Sequence, residues 1–600
     1  MGSGLVETTE CWRVTAESSA REKVKRRRRD GVTIALMIAT VAVTNVVHAQ
    51  PRAAITAARV EQTTVGTRPA ARVAESFDGL GYNFVGPQGT GRSRNPSDNS
   101  LAVGPDHVMQ VVNGLGMAIF SRKGAKFDST GRVLYGPVNV RNVFRGFTGN
   151  CEARSSGDAV VRYDQLAHRW LIVMPLFSRG PARADQPLAM RANEPAELSV
   201  IGVAGQPNGA AMLYQPPPPP TTDSVARVQT AAPTNATGAT APRAPADTGP
   251  YSMCYAVSTS EDPLGSYYRY EFLRADFPDY PRPAVWPDGY YVPTSSSDDR
   301  ISATVATRKH ACVVERERML RGESAREQCV IIENSNFLNN ADVDGIALPP
   351  RGAANIMLAA GGRQLDSLYE DHVIHAWSFR VDWQTPSRTR VTSLPTIAVA
   401  PYRYLCDGQL TACVPQPGSV RKLDSQGDKL MARVVYRRVN GHEAIVATHS
   451  INTGAGGGGV RWYEFRVTPS RALQLYQQGT YAPNGNFRWL PSPAMDKFGS
   501  IGIGYSFGGV NDFPGQRFAG RLANDPRGQL TLSETLLVAG EAPEGDVTRP
   551  GAQRWEDYAQ SAVDPRDDCT IWYVGDYVKR GATSYSSRVG AFRMPGCGGR

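Results

Sequence analysis

Six aspartates, each at a turn that introduces a strand of large apolar residues, constrain this chain more than any other feature. They are Asp106 in LAVGPDHVMQVV, Asp164 in VVRYDQLAHRWLIV, Asp288 in AVWPDGYYV, Asp424 in KLDSQGDKLMARVVY, Asp496 in AMDKFGSIGIGY and Asp564 in AVDPRDDCTIWYV. Aspartate suits such a turn because its carboxylate accepts hydrogen bonds from backbone amides two residues on. The intervals are 58, 124, 136, 72 and 68 residues. The interval of 124 becomes one unit once a Pro-rich tract is set aside, and 136 holds two units with a degenerate copy near 355–360, which gives seven units, or six. A repeat of this length holds several strands but cannot cover both faces of its own sheet, so units must flank one another. The expected fold is an all-β propeller over residues 76–600; two β-sandwich domains are the alternative, since they also give regular short strands.

Local patterning agrees with strands. Apolar runs are four to eight residues long, rich in Val, Ile, Tyr and Trp, and bounded by turn residues. Tyr268, Tyr270 and Phe272 alternate with Arg269 and Glu271, and Trp462, Glu464 and Arg466 alternate with Tyr463, Phe465 and Val467, which assigns opposite sheet faces to each set. The 59 Gly and 43 Pro call for many turns rather than long helices.

The N-terminus has the three parts of an export signal: basic Lys23, Lys25 and Arg26–Arg29, an apolar run from Val32 to Val47, and Val47-His48-Ala49 before Gln50. Cleavage is expected after Ala49, which makes residues 1–49 a signal peptide and the mature chain secreted, periplasmic or cell-surface. An uncleaved anchor is the alternative, although the run is shorter than the usual span of about 20 residues. No later segment is apolar enough to cross a bilayer. Residues 50–75 read as a flexible lead-in, and residues 179–249, with Pro216–Pro220 and an Ala/Thr/Pro-rich stretch, as a disordered insertion that cannot build a core. The net charge of +10 has no dense basic run outside the leader, so no nucleic-acid partner is expected.

Cys11 leaves with the leader, and the remaining eight cysteines of an exported chain read as disulfides. One arrangement joins Cys406 to Cys413, Cys569 to Cys597, Cys312 to Cys329 and Cys151 to Cys254; spacing alone does not decide the connectivity. Zinc is not expected, because no CxxC-type pair occurs.

The stretches SDNSLAVGPDHVMQVVN, GDAVVRYDQLAHRWL, CYAVSTSEDPLGSYYRY, DYPRPAVWPDGYY, KLDSQGDKLM, QQGTYAP, RWLPSPAMDKFGSIGIGYS and RWEDYAQSAVDPRDDCTIWY resemble a group of secreted bacterial proteins of uncharacterised function with sialidase-like propeller repeats. The resemblance spans about residues 95–595 apart from the insertion, and implies secretion and a propeller rather than a reaction. The repeats only loosely approach the Asp-box of sialidases, so no sialidase catalytic residue carries over.

Several motifs match by letter and fail by context. Gly504-x-Ser506-x-Gly508 lacks the helix that a nucleophile elbow requires, and Gly454-x-Gly456-x-x-Gly459 leads into a strand rather than a phosphate-binding helix. Asn340, Asp342, Asp344 and Gly345 resemble the opening of a calcium loop, but Arg351 stands where a bidentate Glu is required. A simpler structural calcium site there, or at Asp564, Asp567 and Asp568, is the one cofactor entertained. The spacings of His372 with His375 and of His442 with His449 put each pair on opposite strand faces, unsuited to a metal.

The candidate ligand-binding residues lie just upstream of the repeat aspartates, where innermost strands would enter a central channel: Asp98, Asp158, Asp279, Arg282, Arg488, Arg554, Asp557 and Tyr558. A closed ring would bring them together from distant parts of the chain. The expected function is extracellular binding of a glycan or protein ligand. The alternative is a glycan-directed hydrolase that uses these carboxylates and arginines, since arginine fork-binds carboxylates and paired carboxyls cleave glycosidic bonds.

Overall fold

The computed structural model describes residues 13–14, 60–91, 94–113, 116–121, 131–147, 149–154, 157–179, 250–297, 308–333, 335–361 and 372–597. Strand β1 (Arg72–Asp78) opens the fold, and its partner lies at the opposite end of the chain. Seven innermost strands follow: β2 (Ser100–Val103), β3 (Val160–Asp164), β4 (Ala284–Trp286), β5 (Asn339–Val343), β6 (Val434–Val439), β7 (Phe487–Met495) and β8 (Gln560–Val563). From each a mostly antiparallel four-stranded sheet runs outward, and the last of these ends in β9 (Ser586–Arg593), which pairs with β1. The innermost strands touch in the cyclic order β2, β3, β4, β5, β6, β7, β8 and back to β2. The chain is thus an all-β propeller.

Burial explains why the sheets stack. Both faces of the inner strands are apolar, so each sheet shares a core with the next. Met109 and Ile119 of the first sheet pack with Val161 and Ile172 of the second, and Leu171 and Val173 on the second sheet's other face pack with Val285 and Tyr290 of the third. The third, fourth and fifth share Trp286, Leu358, Tyr436 and Phe465, and the fifth and sixth share Val446, Trp462 and Ile503. Phe518 joins Ile571 and Phe592 between the sixth and seventh. Leu101, Val108 and Phe120 of the first sheet then meet Phe77, Trp572 and Val589 of the last, which closes the circle.

The repeat aspartates mostly sit in the hairpin after the innermost strand. Asp164 accepts from Leu166 N (3.0 Å) and Ala167 N (3.2 Å), Asp496 from Phe498 N (2.9 Å) and Ser500 N (2.8 Å), and Asp564 from Arg566 N (2.9 Å). Asp424 is the exception. The fifth inner hairpin turns at Asn440–Gly441, whereas Asp424 follows Ser419–Leu423, a strand of a separate three-stranded sheet. A polar turn ahead of a valine-rich run mimics the repeat, but here that turn leads into the channel.

Four disulfides form: Cys151–Cys254, Cys312–Cys329, Cys406–Cys413 and Cys569–Cys597. Among the described residues no helix is long and apolar enough to cross a membrane. The expected signal peptide lies outside the described residues except for Arg13–Val14, which run parallel to Ile331–Ile332. The expected insertion, apart from Arg179, also lies outside them; it falls between the second and third strands of the second sheet. The expected domain boundary at Ser76 falls within β1, and Glu61–Gln62 of the expected lead-in pair with Thr480–Tyr481.

Candidate functional site

The segments that enter the channel carry the polar residues. Asp98 precedes β2 by two residues and Asp158 precedes β3 by two, while Asp279, Tyr280 and Arg282 lead into β4 and Asp557 and Tyr558 into β8. Asp98, Tyr280, Leu490 and Glu556 all have positive φ (49°, 55°, 53° and 26°). Left-handed backbone at non-glycine residues costs of order 1 kcal/mol or more, and such residues cluster where surrounding structure fixes a functional geometry. Beneath these segments Val160, Tyr280, Phe337, Trp489, Leu490, Trp555 and Tyr558 form one apolar cluster across the ring.

Carboxylates converge above that cluster. One oxygen each of Asp98, Asp158 and Asp557 lies within 4.8 Å of the other two. Asp98 is fully buried and Asp158 is 6% exposed. Burial, reinforced by the neighbouring aspartates, holds both well above the usual carboxylate range. Burial, and then Asp557, pushes Asp279 up to about 6.

Cations surround the acids, Arg554 from the rim and Arg282, Lys309 and Lys429 from buried positions. Arg554 Nε lies 2.7 Å from Asp424 and Nη2 lies 2.5 Å from Asp557. Gln426 Nε2 donates to Asp557 Oδ1 at 2.8 Å, and the Tyr280 hydroxyl donates to the Asp557 carbonyl. Asp424 is pushed up to about 7 by burial against the pull of Arg554. Lys429 pairs with Asp428 at 2.5 Å and stands 4.8 Å from the Phe337 ring centroid. Arg282 stacks over Tyr280 at 4.4 Å and donates to Asn339 Oδ1 at 2.8 Å and to Leu430 O at 2.7 Å. Burial lowers Lys309 to about 8. Seven of the eight expected residues therefore come together.

Arg488 does not join them. It turns outward to Glu534 at 2.8 Å and stacks on Phe507, whereas the next residue, Trp489, packs with Trp555 at 6.3 Å. The repeated Arg-Trp dipeptide conserves the tryptophan contact and not the direction of the arginine. The expected calcium loop is also corrected: Asp342 and Asp344 are buried, and Arg433 neutralises them at 2.9 and 2.5 Å. Asp564 and Asp567 each give one oxygen to turn amides and the other to the Trp572 indole and the Thr570 hydroxyl respectively, and Asp568 pairs with Arg437. Ser506 is buried, donating to Glu556 at 2.8 Å. His449 is buried beside Tyr463 and Tyr402.

Sequence reasoning missed Asp424, Asp428, Lys429 and Lys309, and also a second acidic layer. Glu556 is pushed up to about 8 and Glu544 to about 7 by burial, and burial beside Glu556 holds Asp576 well above the usual carboxylate range. Asn99 donates to the Asp576 carboxyl, Ser506 to that of Glu556, and Gln516 to the Asp576 backbone carbonyl. The missed signal for Asp428 and Lys429 is their place six and five residues before β6, the counterpart of Asp279 before β4.

No protein-family model matches the chain, and no curated protein does. Among solved structures it is similar to a protein of unknown function from Dyadobacter fermentans, at 9% identity and TM-score 0.30, over 88% of this chain and 100% of that one. It is also similar to the GH93 α-L-arabinofuranosidase of Fusarium graminearum with arabinobiose, at 11% identity and TM-score 0.25, over 53% of this chain and 93% of that one. The α-L-arabinofuranosidase Arb93A of Fusarium graminearum with an iminosugar inhibitor gives 10% and 0.26 over the same shares. At these TM-scores the likeness carries no argument about chemistry.

Proposed function

We propose that the chain is exported, loses residues 1–49, and acts outside the cytoplasm as a seven-bladed binding propeller that grips a hydroxyl-rich ligand, a glycan, at the channel rim. The observation that carries this reading is the gradient of access across the acids. Asp98 is sealed, but the side chain of Asp557 is 13% exposed and that of Arg554 44%. The rim thus offers a carboxylate acceptor and a guanidinium donor, the groups that sugar hydroxyls use. Four disulfides suit an oxidising compartment. The test is a glycan array followed by calorimetry with the purified mature protein. Binding that Asp557→Asn and Arg554→Ala weaken supports the reading; no bound glycan defeats it.

Hydrolysis is the second reading, favoured by the convergence of the buried Asp98 and Asp158 with the part-exposed Asp557, one oxygen of each within 4.8 Å of the others. Retaining glycosidases hold their two carboxyls about 5 Å apart. Turnover of chromogenic glycosides that Asp158→Asn or Asp279→Asn abolishes would establish it over simple binding, which single replacements weaken only modestly.

A further inference from the structure

The geometry points to a divalent-cation site of calcium type at the inner end of the channel mouth, in which Asp98, Asp158 and Asp557 supply carboxylate oxygens and Tyr558 faces the ion. Three observations lead there, and none depends on what the rim binds.

Spacing is the first. Calcium holds its oxygen ligands at about 2.4 Å, so oxygens on opposite sides of one ion stand about 4.8 Å apart, and smaller magnesium would draw them closer. The three aspartate oxygens satisfy that limit together. They come from the segments ahead of β2, β3 and β8, which are neighbours around the ring. The other group of this kind, Cys312, Glu327 and Cys329, is closed by a disulfide and by Arg274 on Glu327 at 2.5 Å.

The second is an unpartnered group outside the acidic set. The Tyr558 hydroxyl is buried and has no hydrogen-bond partner among the described residues, and Asp158 and Asp98 are the charges that act on it most. A buried polar oxygen left without a partner costs about 1–3 kcal/mol, so a ligand belongs beside it. Both oxygens of Asp98 are likewise buried, with no N–H or hydroxyl donor among the described residues.

The third is charge. Asp98, Asp158, Asp279, Asp424, Asp428 and Asp557 interact with Arg282, Lys309, Lys429 and Arg554. Six acids against four cations leave two negative charges, the charge of one divalent ion. A divalent cation between carboxylates this close offsets their mutual repulsion.

The experiment uses the mature protein dialysed against chelator, with calcium chloride or magnesium chloride added back and no glycan present. Calorimetry should give one calcium per chain, magnesium binding more weakly, and the apparent Tm should rise with calcium concentration. Asp158→Asn and Asp557→Asn should each weaken calcium by ~10-fold or more, whereas Asp567→Asn, in a surface turn, should leave it unchanged. If Asp158→Asn does not fold by circular dichroism, Asp557→Asn at the rim decides. No calcium effect up to about 10 mM, well beyond the weakest extracellular sites, overturns the site. Calcium binding that survives both aspartate replacements overturns it too. Because glycan binding is read separately, loss of one result does not imply loss of the other.

Discussion

Arg316 donates two hydrogen bonds to Asp164, at 2.6 and 3.1 Å, and so clamps the short helix Arg316–Arg321 of the third sheet onto the inner hairpin of the second. Both side chains are buried, and the Tyr290 hydroxyl adds a bond of 2.9 Å to the same carboxylate. Removing one partner strands a buried charge, at a cost of about 3–5 kcal/mol. Arg316→Ala should lower the urea midpoint accordingly, and Arg316→Met with Asp164→Asn should recover part of the loss. A cost under about 1 kcal/mol, the range of exposed pairs, would mean the clamp does not couple the sheets.

Ring closure rests on β1, whose Phe77 is buried against Phe120 and Trp572. Phe77→Ala should cost about 3–5 kcal/mol from lost contact and a residual cavity. Deleting the chain through Asp78 should abolish a single cooperative transition, since β9 keeps its pairing with Thr570–Tyr577 but loses its outer partner, and the core between last and first sheets opens. Limited proteolysis and dye binding would report it.

The four disulfides should contribute unequally. Cys151–Cys254 spans 103 residues and Cys406–Cys413 spans 7. By loop-closure entropy the longer link restrains the unfolded chain by about 2 kcal/mol more. Paired Cys→Ser variants compared by chemical denaturation should keep that order.

Glu544 sets a pH dependence. Burial pushes its carboxyl from 4.5 up to about 7, against the hydrogen bond from Asn95. Its other neighbours are Gln416, the Tyr585 backbone and Asp576. The folded state therefore binds more protons than the unfolded state between these values, and stability falls as pH rises through that window. Glu544→Gln should flatten this part of the profile, measured as urea midpoints at pH 5 and pH 8.

Arg488 and Arg554 begin the same dipeptide and should behave differently. Arg488→Ala should destabilise, because Glu534 keeps a buried carboxylate, yet leave rim binding intact. Arg554→Ala should weaken the ligand, and because it leaves the buried Asp424 without its cation it should also cost some stability, which Asp424→Asn in the same chain should restore while binding stays weak. Equal effects on binding would contradict the rim assignment.

The propeller was legible because both the alternation of strand faces and the turn aspartates are local signals, each written within a dozen residues. The channel acids were legible by their fixed place ahead of those aspartates, which holds for Asp98, Asp158, Asp279 and Asp557. Asp424 misled because a polar turn before valines looks the same whether it ends an inner hairpin or enters the channel, and anchoring on it hid Asp428 and Lys429. Arg488 misled because a neighbouring tryptophan fixes the backbone but not which way a long side chain turns. Lys309, on the third strand of its sheet, carries no such positional mark, and only the assembled ring brings it to Asp279 and Asp428. The pairing of β1 with β9 links residues more than 500 apart, beyond any local pattern.

That pairing also imposes a schedule. A chain made from its N-terminus holds β1 for the whole of synthesis before its mate exists, so the circle cannot shut until the final strand is free. Until then Phe77 lacks Trp572 and Val589, the far wall of the core it shares with the last sheet.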